Sequence, residues 1–260
     1  MTPDALQIRE NILNIAHLSG HGHIPTCFSV IETLLAVYAN MRHDPDNPEW
    51  DGRDIFILSK GHASLGLYCT LAWHDYFPIK DVFNFGNYGS NYGCHVDRMK
   101  IPGVEASTGS LGHGIGIAVG MAMAFKLSGT NRCVFVLIGD GEANEGSVWE
   151  ALMVAVHQGL DNLVVLLDNN CSQTRCLPLV NPEEKFSAFG CDVDVIDGHD
   201  LNSIKASLKI KKSAVRVIVG NTVKGFGCPT LSNEMFAWHR RSPNKIELAQ
   251  LLEELDGSES

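Results

Sequence analysis

The chain has 260 residues, of which 45% are hydrophobic and 19% are charged, a balance that excludes disordered and fibrous proteins. Thirty acidic against twenty basic residues give a net charge of −10, so neither nucleic acid nor a membrane surface is expected as a partner. No apolar run approaches the ~18 residues of a membrane span, and the acidic beginning lacks an apolar signal region, which predicts a cytoplasmic protein.

The first half of the chain predicts helices separated by glycine-containing loops. Amphipathic patterning predicts helices at 5–18 and 28–41, a short strand at 55–58, and a helix that opens at the string SKGHA and runs to about residue 74. Residues 84–103 contain four glycines and form a loop long enough to predict a functional role. A Gly/Ala-rich helix follows at 112–126, and its small residues favour close packing against another surface.

The second half alternates regularly between strands and helices. Continuous apolar runs at 133–138 and 163–167 are typical of parallel strands covered on both faces, with a helix at 147–160 between them. Further helices are predicted at 182–189, 201–210 and 244–255, and further strands at 191–196 and 214–219. The pattern predicts one doubly wound α/β domain over 1–260, with a mostly parallel sheet, helices on both faces and a polar tail at 256–260.

Several familiar binding motifs are absent from the sequence. The eight cysteines form no C-x-x-C pair, which argues against zinc-ribbon and thioredoxin-type sites. The Walker A string does not occur, and GSLGHGIGIAVG misses the third spacing of G-x-G-x-x-G. A nucleotide-dependent dehydrogenase is therefore disfavoured.

Polar clusters follow two of the predicted strands. Gly139-Asp140-Gly141 ends one strand and Asp168-Asn169-Asn170 ends the next, one crossover later. Ligands of open parallel sheets bind beyond the carboxyl ends of the strands, and carboxylate and amide oxygens suit Mg²⁺ or Ca²⁺. The two glycines allow close backbone approach, and a helix N-terminus favours an anion. The spacing indicates a metal-bound diphosphate, although a helix cap at Asp140 and a simple turn at the asparagines remain an alternative.

Six strings of the sequence together resemble the transketolase family from residue 11 to about 245. GDG followed about thirty residues later by NN resembles the thiamine diphosphate fingerprint. The matching strings are SGH (19–21), DIFILSKGHASLGLY (54–68), PGVEASTGSLGHGIGIAVGMA (102–122), GDGEANEG (139–146), DNN (168–170) and WH (238–239). SKGHA together with PGVEASTGSLG is more specific than the fingerprint. The resemblance implies a thiamine diphosphate-dependent enzyme that moves a two-carbon ketol unit from a ketose, or ketose phosphate, to an aldose or its phosphate.

The resemblance also implies roles for individual residues. The metal, Mg²⁺ or Ca²⁺, would be held by Asp140, Asn170 and the backbone carbonyl of Ser172. The residues implied to bind thiamine diphosphate are His62, Gly109, Ser110, Leu111, Gly139, Asp140, Gly141, Asn170 and His239. The residues implied in catalysis are His21, His95 and His239, which would face the sugar, and Glu145, which would act across the subunit interface. Imidazoles suit proton transfer near neutral pH.

The remaining histidines receive a structural interpretation. His157 lies in an ordinary predicted helix and His74 ends one. His199 lies in the string DGHD, where Asp200 is expected to cap the following helix.

Two sequence changes relative to the family concern the substrate, and a third, at Cys171, concerns the metal-binding carbonyl. After DNN the chain reads Cys171-Ser172-Gln173-Thr174-Arg175-Cys176, and WH is followed by Arg240-Arg241. Arg175 or Arg240 could meet an anionic group on a sulfo-, acidic or branched sugar; alternatively both are exposed and without effect. Cys171 replaces a glycine that would adopt unusual backbone angles more easily.

The chain is predicted to need a second subunit. Single-chain transketolases are more than twice as long, and the resemblance covers only their diphosphate-binding half. The expected partner is a C-terminal, pyrimidine-binding transketolase subunit, with two copies of each chain. Two alternatives remain: the α subunit of a 2-oxo acid dehydrogenase, which also carries GDG and NN, and a non-catalytic cofactor-binding subunit.

Overall fold

Five parallel strands form the centre of the structure, a computed structural model that describes residues 1–210 and 213–257. The strands are β1 Ile55–Leu58, β2 Val134–Gly139, β3 Leu163–Asn169, β4 Asp192–Asp197 and β5 Arg216–Asn221. Their order in the sheet is β1-β2-β3-β5-β4, and every neighbouring pair is parallel. All carboxyl ends therefore lie at one edge of the sheet.

Helices cover both faces of this sheet. They are α1 Pro3–Ser19, α2 Ile24–Phe28, α3 Ile31–Asn40, α4 Ser64–Trp73, α5 Ile79–Val82, α6 Gly114–Leu127, α7 Gly146–His157, α8 Pro182–Ala188, α9 Leu201–Lys209, α10 Pro229–Asn233 and α11 Lys245–Gly257. Side chains of β2 alternate between two apolar cores: Phe135 and Leu137 pack with α1, α3 and α4, and Val134, Val136 and Ile138 pack with α6 and α7. The predicted doubly wound α/β fold is confirmed.

The strands end within two residues of their predicted positions, and the helix predicted at 28–41 is present as α3, which begins three residues later than predicted. A further short helix, α2, precedes it and begins at Ile24, inside the segment predicted to be a loop. Pro25 suits the first turn of α2. At Ser29 the hydroxyl bonds the carbonyl of Thr26 and the carboxylate of Asp168, and the helix is interrupted. The short helices α5 and α10 were not predicted either.

Two further sequence predictions can be compared with the structure. The segment 84–103 contains no helix or strand, as predicted, and Asp200 caps α9 by accepting a hydrogen bond from the N–H of Asn202. Of the predicted polar tail, 258–260 lie outside the described residues. Within 1–210 and 213–257, the helices are all too short or too polar to cross a membrane.

Candidate functional site

A cavity of about 330 Å³ opens at the carboxyl ends of β2, β3 and β5. The loops after these strands meet α2, the turn after β1 and the segment around 239 there. The lining residues are His23, Thr26, Lys60, His62, His95, Gly109, Leu111, Gly139, Asp140, Gly141, Glu142, Asn170, Ser172, Gln173, Lys224, His239 and Arg240.

Asp140 and Asn170 meet through Ser172. Gly139 pairs with Asp168 in the sheet, which brings the ends of β2 and β3 side by side. The Ser172 hydroxyl donates to Asp140 Oδ1 at 2.6 Å, and the Ser172 N–H donates to Asn170 Oδ1 at 3.1 Å. Asp140 and Asn170 are each only 3% exposed. The thirty-residue spacing thus brings two oxygen-bearing side chains to one place.

A buried ion pair lies beneath this junction. Lys60 Nζ donates to Asp168 Oδ2, and the two residues are 2% and 3% exposed. Ser29 and Asn170 donate to the same carboxylate oxygen at 2.7 and 2.8 Å, while Thr222 donates to Oδ1. Because both of its carboxylate oxygens are paired, Asp168 stabilises the structure beneath the cavity and is not free to bind a ligand.

Three imidazoles lie close together in the cavity. The ring centroid of His23 lies 5.3 Å from those of both His62 and His239. Burial, followed by the charge of Lys60, lowers the pKa of His62 to about 2. Burial and neighbouring positive groups lower the pKa values of His23 and His239 to about 4. At neutral pH all three rings are therefore uncharged.

Lys224 adds a second buried ammonium to the cavity. It is 3% exposed, and burial, together with the charge of Lys60, lowers its pKa to about 8. Its Nζ contacts His239 Nδ1 at 3.0 Å. An ammonium can only donate, so Nδ1 accepts and the ring proton of neutral His239 lies on Nε2. The cavity thus presents positive charge and N–H donors, an environment that stabilises a bound anion.

Two backbone features position these groups. A Cβ at Gly61 would lie 2.7 Å from the carbonyl of Thr108, so only glycine allows the SKGHA turn to pack against the segment that carries Gly109. Cys171 adopts φ 57°, a left-handed conformation that costs a non-glycine residue about 1–2 kcal/mol. Cys171 therefore adopts a conformation that the glycine expected at this position would reach more easily.

Most of the sequence-predicted site residues line the cavity. They are His62, His95, Gly109, Leu111, Gly139, Asp140, Gly141, Asn170, Ser172 and His239. His21, Ser110 and Glu145 are exposed and lie outside the lining. Glu145 instead precedes the first turn of α7 at the surface.

Sequence reasoning missed six lining residues with polar side chains: His23, Thr26, Lys60, Glu142, Gln173 and Lys224. Lys60 stands inside the SKGHA string, and Gln173 follows DNN. Lys224 comes shortly after a predicted strand, so the same carboxyl-end rule could have found it. That rule was applied only to the two strands with an obvious acidic or amide cluster.

The structure separates the two arginines considered for substrate recognition. The Arg175 guanidinium lies 4.1 Å from the ring centroid of Phe236, and Arg175 is exposed outside the cavity lining. Arg240 lines the cavity, and its charge contributes to lowering the pKa values of His23 and His239 after burial. Only Arg240 is therefore placed to meet a ligand in this cavity.

Comparison with known proteins gives consistent results for sequence and structure. The family described as "Transketolase, thiamine diphosphate binding domain" matches residues 6–251. The chain is 37% identical to one of the subunits of the apulose-4-phosphate transketolase of Actinobacillus succinogenes, over 96% of this chain and 94% of that protein. It is 39% identical to a 6-deoxy-6-sulfo-D-fructose transketolase subunit of a Clostridium strain, over 80% of this chain and 79% of that protein.

Among solved structures, the chain is similar to the transketolase of Campylobacter jejuni. The TM-score is 0.88 with 28% identity, and the match covers 98% of this chain but 43% of that one. The transketolase of Leishmania mexicana gives a TM-score of 0.85 at 28% identity, covering 95% of this chain and 40% of that one. The chain thus spans about two fifths of the length of these solved proteins.

Proposed function

The chain belongs to the transketolase family through its thiamine diphosphate-binding domain, and from this premise we propose that it is the cofactor-binding subunit of a two-chain transketolase. The proposed activity is transfer of a two-carbon ketol unit from a ketose or its phosphate to an aldose or its phosphate. The observation that carries the proposal is the cavity itself, where buried Lys60 and Lys224 and three neutral imidazoles surround an Asp140–Asn170 oxygen pair.

The oxygen pair has room for a hard cation. Asp140 accepts from Gly141 N–H, Ser172 Oγ–H and Gln173 N–H, which leaves one of the four lone-pair positions of a carboxylate. Asn170 Oδ1 accepts one bond and keeps its second position. We assign Asp140, Asn170 and the Ser172 carbonyl as ligands of Mg²⁺ or Ca²⁺. Groups of three or more His, Cys, Asp or Glu arranged for a metal are absent from the described residues, so diphosphate oxygens would complete the coordination.

The N–H donors around the ammonium group of Lys224 suit a bound diphosphate. His62, His239 and Lys224 offer donors to its oxygens, and the absence of a side chain at Gly139 and Gly141 permits close approach. Gly109, Ser110 and Leu111 are assigned to the aminopyrimidine ring. Bound thiamine diphosphate supplies an electron sink for breaking the bond between ketose carbons 2 and 3.

The chain's own part in the chemistry is to hold and move protons near the sugar. His239 holds a proton on Nε2 because Lys224 donates to Nδ1, so the ring can donate to a sugar or phosphate oxygen. His95 lines the same cavity, and we assign it, with His21, to the sugar hydroxyls. Imidazole side chains suit general acid–base work close to neutral pH.

A surface on α6 supports the need for a partner. The α6 face consists of Gly116, Ile117, Gly120, Ala124 and Leu127, all exposed. A Cβ at either glycine would meet nothing within 4 Å, so the face is open as well as apolar. Such a face favours close helix contact in an assembly. We propose that a C-terminal, pyrimidine-binding subunit completes the enzyme, with two copies of each chain and Glu145 acting across the interface.

The substrate is proposed to carry an anionic or branched group. Relatives named for apulose-4-phosphate and for 6-deoxy-6-sulfo-D-fructose are 37% and 39% identical to this chain. Arg240 gives the cavity an additional cation where the family more often has a small residue after WH. A sulfonate, carboxylate or phosphate on the sugar would pair with its guanidinium.

We predict that Arg240→Ala raises KM for a sulfo-sugar or acidic-sugar donor by about 10- to 100-fold, the effect of losing one charge-assisted hydrogen bond. The KM for a neutral ketose such as erythrulose should change little. Steady-state kinetics of the two-subunit enzyme would measure both values. Arg175→Ala, which removes the same charge outside the cavity, is the matched control. Equal donor profiles for the wild type and the Arg240 variant would disprove this role.

The proposed reaction is tested by offering two classes of donor to the enzyme purified with its partner. We expect transfer from a ketose or ketose phosphate to an aldose acceptor, dependent on thiamine diphosphate and a divalent metal. Release of carbon dioxide from a 2-oxo acid, without ketol transfer, would instead support a 2-oxo acid dehydrogenase subunit. Chromatographic detection of the product sugar distinguishes the two reactions.

A further inference from the structure

A buried charged network is formed by residues that do not line the cavity. Arg9 is 0% exposed and Glu32 is 3% exposed, and the guanidinium donates to both carboxylate oxygens at 2.7 and 2.8 Å. Burial alone would raise the pKa of Glu32, but Arg9 and His199 bring it down to about 2. Arg9 also donates to the carbonyl of Phe28 at 2.6 Å, at the end of α2.

The network reaches the cavity through His199. Its Nε2 accepts a hydrogen bond from the N–H of Val223 at 2.8 Å, and its Nδ1 lies 3.2 Å from Glu32 Oε2. Because Nε2 accepts, the proton of the neutral ring lies on Nδ1, which donates to Glu32. The imidazole also stacks on Phe226, with ring centroids 3.6 Å apart and planes 10° from parallel.

These contacts hold a short loop from both sides. Val223 immediately precedes Lys224, and Phe226 follows it two residues later. The His199 imidazole therefore fixes the backbone before Lys224 through its hydrogen bond with Val223, and the side chain after Lys224 by stacking on Phe226. The next residue, Gly225, donates its N–H to the carbonyl of Pro25 in α2 at 3.0 Å. Lys224 in turn contacts His239 Nδ1 at 3.0 Å inside the cavity. A continuous series of contacts therefore joins Glu32 to His239.

We propose that His199 is a positioning residue, oriented by Glu32 and Arg9, that fixes the Val223–Phe226 loop so that Lys224 selects the Nε2–H tautomer of His239. That this tautomer of His239 helps to hold a diphosphate rests on the proposed function. The positioning of Lys224 and His239 by His199 does not depend on it. His199 is not among the residues that line the cavity, and in this proposal it acts through Lys224. This is more than the helix-flanking role that its DGHD context predicts.

The direct test is the tautomer of His239 in the full chain without cofactor or metal, read from ¹⁵N NMR of histidine-labelled protein. The resonances are assigned by their loss in His239→Gln. Wild-type protein should show the Nε2–H form. His199→Leu, which replaces the imidazole by an apolar side chain and removes both hydrogen bonds, should give a mixture of tautomers. His199→Gln retains an acceptor for Val223 and a donor for Glu32 and should restore most of the Nε2–H signal.

Two further variants keep the test decisive. Asp200→Ala removes the cap of α9 at the adjacent position but leaves the His199 contacts, so it should lower the unfolding temperature without changing the tautomer. If His199→Leu does not fold, Phe226→Leu removes the stacking partner and should shift the tautomer in the same direction. A pure Nε2–H form in a folded His199→Leu or Phe226→Leu variant would overturn the proposal, as would an equal shift in Asp200→Ala.

A second readout links the arrangement to anion binding. Calorimetric titration with inorganic pyrophosphate and Mg²⁺ should show about a tenfold weaker affinity in His199→Leu, with recovery in His199→Gln. Unchanged affinity would remove the link between His199 and the bound anion. If the wild-type chain and its complex do not bind the probe, the proposed function fails, while the tautomer measurement still decides the role of His199.

Discussion

Replacing Asp140 by alanine should weaken metal-dependent binding of thiamine diphosphate by about 100-fold or more, which corresponds to about 2.7 kcal/mol. In the proposed site a hard cation would lose its carboxylate ligand, and the proposed carbonyl and amide ligands that remain carry no formal charge. Asn170→Ala should act in the same direction with a smaller loss, because a neutral ligand is removed. Calorimetry with both subunits present, in Mg²⁺ and in chelator, measures the metal-dependent part.

The fold should survive both substitutions. The groups that donate to Asp140, such as the N–H of Gly141, face the cavity, where water can replace the carboxylate. Asp168 keeps its Lys60 and Ser29 partners when Asn170 is shortened. Asn169→Ala is the matched control, since that side chain bonds Asn221 instead and should leave cofactor affinity unchanged. Wild-type affinity in both site variants would refute the assignment of the metal site.

The second large effect concerns the partner. We expect the purified chain to show no ketol transfer with thiamine diphosphate and Mg²⁺, and co-expression with the second subunit to restore activity. Gly120→Arg should block this restoration, because it places a long charged side chain on the α6 face. The free chain should remain folded, since a Cβ at Gly120 meets nothing within 4 Å and glycine within a helix costs about 0.5–1 kcal/mol relative to alanine.

The measurements are activity and sedimentation of the mixed subunits. Ile246→Arg is the control: Ile246 is 82% exposed on α11, and the same change there should affect neither assembly nor turnover. Robust turnover by the isolated chain, or normal assembly of Gly120→Arg, would contradict the proposed role of the α6 face.

The sequence predicted the strands well because central parallel strands are continuous apolar runs. The β2 and β3 strands are covered by helices on both faces, so nearly every side chain is buried and the composition indicates burial directly. The apolar runs end at Gly139-Asp140 and at Asp168-Asn170, and these changes in composition mark the strand ends. The part of the cavity built on these two loops could therefore be predicted.

The rest depends on neighbours that are distant along the chain. The sheet order places β5 beside β3, so Thr222 reaches Asp168 and Lys224 enters the cavity. Chain order alone gives no indication that the fifth strand lies between the third and the fourth. The five-residue helix α2, which carries Thr26 to the cavity, is too short to produce a helical periodicity. His23 precedes it without a side-chain cap, so the N-cap pattern that usually reveals a helix start is missing.

The same limitation explains why His199 was interpreted as purely structural. Its partners lie on α3 and in the loop after β5, at Glu32 and Val223. The string DGHD predicted the cap at Asp200 but contains no information about either partner. A single histidine beside a helix start is usually structural, and only the three-dimensional contacts connect this one to the cavity.

The central claim is that the cavity at the carboxyl ends of β2 and β3 holds a metal-bound diphosphate. The most direct test is a crystal structure of the chain with its partner, thiamine diphosphate and Mn²⁺, with anomalous diffraction recorded to locate the metal. We predict one strong anomalous peak at coordination distance, about 2 Å, from Asp140, the side-chain oxygen of Asn170 and the Ser172 carbonyl, with the diphosphate between that peak and His62. A cofactor bound elsewhere, or a metal peak with no contact to Asp140 and Asn170, would contradict the claim.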